Sequence, residues 1–150
     1  MKKIILITLI SLASLGAVAQ LEARVEMTEE IEGVCDLQNV YALFPMFGDQ
    51  VEAVCPITKE EFLKRLNELQ YLKDNPKFKY KGTIGIVINC EGEVVDCKVD
   101  VKSKDAEFNK QLTELMSSLG NWEPGKLDKK EVDSYQTYFI KIKKGKVKYA

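Results

Sequence analysis

The sequence contains no histidine in its 150 residues. That absence excludes Ser-His-Asp and Cys-His nucleophilic catalysis and every His-ligated metal site. Its four cysteines include no C-x-x-C pair, so the usual signature of redox catalysis is missing. No Gly-rich phosphate loop is present. With 22 Lys+Arg against 23 Asp+Glu the net charge is −1, which lacks the strong positive field of a bulk nucleic-acid binder. Nothing repeats, no segment is low in complexity, and the length allows one domain rather than two cores. What is present is enough apolar material for that core, at 45 % of residues, so wholesale disorder is not expected.

The N-terminus reads as a secretory leader. Lys2 and Lys3 form a positive n-region, and residues 4–18 then run without a charge. Ala17-Val18-Ala19 is a small-x-small cleavage site before Gln20. The apolar run falls short of the roughly 20 residues a spanning helix needs, so a signal peptide over 1–19 is favoured over a membrane anchor. No cysteine follows the run to take a lipid. The mature chain would be residues 20–150, and loss of two lysines would take its charge from −1 to −3.

Export changes the reading of Cys35, Cys55, Cys90 and Cys97. In an oxidising compartment an even number of cysteines suggests two disulfides. A four-thiolate zinc site is the alternative, but it normally shows paired C-x2-C knuckles, and the spacings here are 20, 35 and 7. No metal or organic cofactor is expected.

Charge is unevenly placed. Residues 20–60 carry nine acids against Arg24 and Lys59, and residues 126–150 carry eight lysines against three acids. Two solvated surfaces of opposite charge is the plainer reading; a basic end that meets an acidic partner is the functional one.

Residues 20–56 form an acidic segment without clear periodicity, and Pro45 forbids a continuous helix through the apolar turn Phe44-Pro45-Met46-Phe47-Gly48. A first helix is predicted from Thr58, which forms a T-x-x-E capping box with Glu61. Phe62, Leu63, Leu66, Leu69 and Leu72 continue its apolar face, and Asn75-Pro76 ends it. Residues 83–88 and 94–101 read as a β-hairpin around the turn Asn89-Cys90-Glu91-Gly92. A second helix follows, capped by Asp105 or Ser103. Phe108, Leu112, Leu115, Met116 and Leu119 recur at helical spacing, with Gly120 at its C-terminal end. After the turn at 121–125, a third strand is predicted over 132–143. Lys144-Gly145-Lys146 then turns into a short end at 147–149. The expected fold is therefore α+β: a small two-layer domain, with a three-stranded, mainly antiparallel sheet packed with two helices in the order helix-strand-strand-helix-strand.

A regular hairpin places Cys97 across from about Gly85 and Cys90 in the turn. At about 3.3 Å per residue that separation exceeds the ~7 Å Cα limit for a disulfide. A Cys90–Cys97 bridge is thus disfavoured. If all four cysteines pair, each hairpin cysteine must reach Cys35 or Cys55, which would tether the N-terminal segment to the hairpin.

Residues 82–147 resemble the C-terminal domain family of TonB, the energy transducer of the Gram-negative envelope. The resemblance rests on Gly82, the alternating Ile84, Ile86 and Ile88, the Gly92 turn, Val94, Cys97 and Val99. Its most specific piece is Trp122-Glu123-Pro124-Gly125-Lys126, similar to the family's W-x-P-G-K turn. Phe44-Pro45-Met46-Phe47-Gly48 is similar to a P-x-F-x-G segment of some members. The domain would span 57–150. The chain departs from transducers in its cleavable leader, its mere four prolines, its four cysteines, and Lys129-Lys130 where the family has glycine. The resemblance carries the fold over, and not energy transduction.

It implies recognition of an extended peptide at a sheet edge, here the last strand with Tyr135, Thr137, Phe139, Lys141 and Lys143. Unpaired N–H and C=O groups on an edge accept an incoming strand, although alternating lysines also discourage indiscriminate pairing. Trp122 reads as a packing residue, and Pro124 and Lys126 as turn chemistry. The expected function is an exported, non-catalytic binding module for a protein or peptide of the cell envelope, periplasmic or secreted. It binds no nucleic acid and keeps no membrane span after cleavage. The alternative is a structural protein that forms a homodimer through the same edge. Glu91, Glu93, Asp96 and Asp100 lie on or near one hairpin, and paired carboxylates are a residue type that does acid–base work. Without a nucleophile motif they read as surface charge.

Overall fold

The computed structural model describes residues 22–25, 30–46, 48–100 and 102–149. The expected leader, its cleavage site, Phe47 and Val101 lie outside the described residues.

Local signals build the helices. Helix α1 spans Lys59–Asn67, and Thr58 Oγ1 caps it by accepting the Glu61 N–H at 3.2 Å. The Glu61 carboxylate turns to Arg65 Nε at 3.0 Å, so an i,i+4 ion pair takes up the side chain of the capping box. The expected single helix is two. Leu69 adopts an extended conformation (φ −52, ψ 129), and α2 restarts at Gln70–Asp74. The Tyr71 N–H at the start of α2 is satisfied by Gln111 Oε1 at 2.9 Å. Helix α3 spans Ala106–Ser117; Asp105 caps it, accepting from the Glu107 and Phe108 N–H groups.

The sheet is larger than the periodicity predicted. Strand β1 is Ala23–Val25, β2 Val40–Ala42, β3 Gln50–Val51, β4 Tyr80–Ile88 and β5 Val94–Val99. After α3 come β6 Gly125–Leu127, β7 Lys130–Val132, β8 Ser134–Lys143 and β9 Lys146–Tyr149. Six of these form one mixed sheet in the order β1-β2-β8-β4-β5, with β9 also on β8, and β3-β6-β7 form a second, three-stranded sheet. This corrects the expected three-stranded sheet with two helices: among the described residues there are three helices and nine strands. The additional strands are two to four residues long, too short to show a period of two in sequence.

The core lies between one face of the large sheet and the helices. Ile84, Ile86, Ile88, Ile140 and Ile142 meet Phe62, Leu66, Phe108, Leu112 and Met116, all buried. Phe108 gathers the rings of Tyr71, Phe78 and Tyr80 within 5.7 Å of its own. The predicted β4–β5 hairpin forms, but a bulge at Val87/Ile88 shifts its register, so Cys97 faces Ile86 rather than Gly85. Cys97 thereby turns to the core face.

The turn that carries the W-x-P-G-K resemblance is only partly a turn. Glu123 forms a β-bridge with Val54, and Gly125 and Lys126 belong to β6, where Lys126 faces Val51 and Glu131. Trp122 is buried at 3 % exposure and meets Tyr138 edge-on at 6.1 Å. The Trp122 backbone N–H donates to Gly92 O at 2.8 Å, and Gly92 has φ +85 at a position where a Cβ would overlap the Trp122 carbonyl. Pro124 precedes β6, and a Cβ at Gly125 would sit 2.9 Å from Ser134 Oγ. Asp128 and Lys129, at φ 50 and 66, make the two-residue β6–β7 turn without the glycine of the resembled family.

Candidate functional site

The last long strand, nominated as an edge, lies inside the sheet. Residues 134–142 of β8 pair with β4 along its whole length. On the other flank, β2 pairs in parallel only at Ser134, and β9 pairs from Lys141 to Lys143. The outer strands of the sheet path are β1 and β5. Between β2 and β9, however, residues 137–140 have no strand partner on this flank among the described residues.

Backbone alternation fixes what that interval presents. Asp133 O accepts the Tyr41 N–H at 2.9 Å, so its carbonyl points to the β2 flank. Successive residues of a strand direct their N–H and C=O groups to opposite flanks. Tyr135, Thr137 and Phe139 therefore direct theirs to the β2/β9 flank, and Thr137 and Phe139 fall in the open interval. A cleft of about 380 Å³ adjoins it, lined by Ala42, Leu43, Phe44, Glu52 and residues 135–138. Phe44 and Phe139 are exposed at 40 % and 42 %. Gln136 Nε2 donates to Ala53 O at 2.8 Å and braces one wall. Burial raises the pKa of the Tyr138 phenol, with the neighbouring Cys55 and Glu52 adding to the effect.

The side chains of the nominated residues divide by face. Tyr135, Thr137, Phe139, Lys141 and Lys143 alternate with Gln136, Tyr138, Ile140 and Ile142, of which the two isoleucines are buried in the core. The Tyr135 ring lies over Gly85, where an added Cβ would come within 2.7 Å of Cε2. Its phenol is pushed above the ordinary tyrosine range by burial and by Asp100 and Asp96. Asp96 also pairs with Lys98 at 3.5 Å. Lys81 sits 5.7 Å from the centre of the Phe139 ring. Glu91 and Glu93 donate their backbone N–H groups to Asn89 Oδ1 at 3.0 and 2.9 Å, which shapes the hairpin turn.

Cys35 and Cys90 form a disulfide with Cα atoms 6.0 Å apart. The N-terminal segment is thus tethered to the hairpin, and the thiol chemistry is that of an oxidising, extracytoplasmic compartment. The second expected bridge is not formed: Cys55 and Cys97 are free thiols. Both pack against the core as partly buried residues. Burial, with Asp96 adding to it, pushes the Cys97 thiol up to about 12.

Asp133 was not marked by any motif. It is buried, and its carboxylate accepts the Cys90 N–H at 2.9 Å and the Asp36 N–H at 2.7 Å. The sulfurs and this carboxylate lie within 4.8 Å of one another, but the sulfurs are spent on the disulfide and are poor metal ligands in that form. The adjacent Asn89 amide donates to Gly33 O at 2.9 Å and so holds the same segment. Among the described residues no helix is long and apolar enough to cross a membrane.

No family model, curated protein or solved structure matches the chain.

Proposed function

We propose that this protein is an exported, non-catalytic binding module that takes an extended segment of an envelope protein on the open flank of β8. The carrying observation is the interval at Thr137 and Phe139, whose backbone groups point out between the ends of β2 and β9. An incoming strand would exchange ladder hydrogen bonds with these residues, while its side chains meet the adjoining cleft and the exposed Phe139 ring. The resemblance of residues 82–147 to TonB C-terminal domains supports the same mode. A leader at 1–19 and the Cys35–Cys90 disulfide support action in the periplasm or beyond. A homodimer joined through a sheet edge is the second reading, favoured by β5, whose outer flank has no strand partner among the described residues.

The test is selection of peptides from a displayed random library, followed by amide exchange on the complex. The Thr137 and Phe139 amides should exchange quickly in the free protein and become protected by a selected peptide. Thr137→Pro should abolish binding and leave the fold intact, because the N–H it removes lies outside the β4 ladder. Protection of the outward-facing Cys97 and Val99 amides by the selected peptide, with none at Thr137 and Phe139, would move the site to β5. Concentration-dependent dimerisation that protects the Cys97 and Val99 amides would favour the second reading.

A further inference from the structure

The β8–β9 end of the sheet concentrates positive charge against its own stability. Lys81 lies directly across from Lys141, and Lys143 directly across from Lys146. Like charges at facing positions of an antiparallel pair repel. Lys144 adds a backbone cost, since it sits in the left-handed region at φ 52 in the two-residue turn with Gly145. Asparagine would suit that position better. Lys79, Lys143, Lys144, Lys146 and Lys148 together line a groove of about 630 Å³. None of these five lysines ion-pairs with a carboxylate among the described residues. The described carboxylates of the acidic N-terminal stretch therefore form no ion pair with them.

The groove is held in shape. The Gly145 N–H donates to Phe78 O at 3.0 Å, and a Cβ at Gly145 would come within 3.0 Å of Pro76 Cα, so the turn is seated on the 75–78 segment. The Val147 N–H is bound by Asn67 Oδ1 at 2.9 Å, which anchors β9 on α1. These five ammonium groups, held on a fixed frame and without a carboxylate ion pair among the described residues, are suited to an external polyanion. Local choices that oppose stability without an internal gain are expected at functional sites.

We propose that this groove binds a compact, soluble anion carrying two or more phosphate groups. Lysine offers a point charge with three rotatable donors, which suits phosphate oxygens, whereas planar carboxylates are matched best by the arginine fork. Both arginines lie elsewhere: Arg24 is in β1, and Arg65 is engaged with Glu61 on α1. Side chains on facing strand positions start about 5 Å apart, so Lys143 and Lys146 can share one phosphate, and Lys79, Lys144 and Lys148 around the same groove can take a second. The volume falls within the usual range of small-ligand sites and exceeds what one phosphate fills. No aromatic side chain lines the groove to stack a base, and no large apolar one lines it to enter a lipid layer.

The experiment is calorimetric titration of the oxidised mature chain with sodium tripolyphosphate. Parallel titrations use orthophosphate, polyglutamate, and phosphatidylcholine vesicles containing phosphatidylglycerol. Tripolyphosphate should bind at one site, more tightly than orthophosphate or polyglutamate. Lys143→Gln/Lys146→Gln should weaken it by about tenfold or more. The unliganded double variant should melt no lower than the parent, since it loses a like-charge pair; a loss of fold would instead be tested with Lys79→Gln, which lies outside the β8–β9 turn. Equal affinity for polyglutamate, binding to vesicles without binding to tripolyphosphate, or an affinity unchanged by the substitutions would each overturn the proposal.

Discussion

The buried carboxylate of Asp133 joins the two backbones that the Cys35–Cys90 disulfide also joins. One oxygen accepts the Cys90 N–H and the other the Asp36 N–H, next to Cys35. A non-covalent clamp thus lies beside the covalent one, at the point where the N-terminal segment reaches the hairpin turn and the start of β8. Asp133→Ala would leave both donors without this acceptor. It should cost about 2–3 kcal/mol, since hydrogen bonds to a charged acceptor contribute about 1.5–3 kcal/mol and the Asp36 side remains open to water. Asp133→Asn keeps one acceptor oxygen and should lose about half as much. Urea denaturation of the three oxidised proteins measures both.

The disulfide closes a separation of 55 residues. The chain-entropy relation gives roughly 4 kcal/mol for a loop of that size. Replacing both Cys35 and Cys90 by serine should destabilise the chain by about 2–4 kcal/mol. Thiol titration of the denatured, oxidised protein should find two free groups, Cys55 and Cys97. A reductant should lower the stability of a Cys55→Ser/Cys97→Ser variant as much as that of the parent. A parent whose fully denatured chain yields no free thiol would contradict the single bridge.

What was legible in the sequence was local. Thr58 and Asp105 announce helix starts because each cap works within three residues, and Asn89 with Gly92 announces the hairpin turn for the same reason. The break at Leu69 was hidden, because Leu69 and Leu72 keep an apolar pattern across two short helices. The strands β2 and β9 were hidden as strands by their length, and only their placement reveals that β8 is internal with an open interval. The nominated residues Thr137 and Phe139 do present their backbones to that interval, but Lys141 and Lys143 are covered there by β9. Asp133 carries no motif at all; its role comes from contacts 43 and 97 residues away in sequence.

Cys97 is a cysteine whose proton is held by its surroundings. Burial, reinforced by Asp96, raises its pKa to about 12 from an ordinary 9.0. At pH 8 only about one thiol in ten thousand would be ionised, so iodoacetamide should alkylate folded Cys97 about a thousand times more slowly than free cysteine. The sign of the linked stability follows. The folded state favours the protonated thiol, so the contribution is present in full below about pH 9 and is lost as pH rises from there towards 12. Denaturation at pH 8 and pH 10.5 should therefore show a larger alkaline loss in the parent than in Cys97→Ser. The comparison with the variant is needed because partly buried tyrosines such as Tyr138 shift in the same direction.

Gly85 and Tyr135 form a second interdependent pair, on the outer face of the sheet. Glycine within a strand weakens it, yet here it creates the floor on which the Tyr135 ring lies. A Cβ at position 85 would displace that ring, so Gly85→Ala should cost about 1–3 kcal/mol, as overpacked sites do. In a Tyr135→Ala background the obstruction is gone, and the same Gly85→Ala change should become neutral or stabilising. The double-mutant cycle would then give a coupling of opposite sign to the single cost. The phenol provides a separate readout: Asp100→Asn should lower the pKa of Tyr135 in an alkaline spectrophotometric titration, because burial is only part of the cause of its upward shift and Asp100 is another. Purely additive stabilities, with a Tyr135 titration unmoved by Asp100→Asn, would show that the ring is not held over Gly85 in solution.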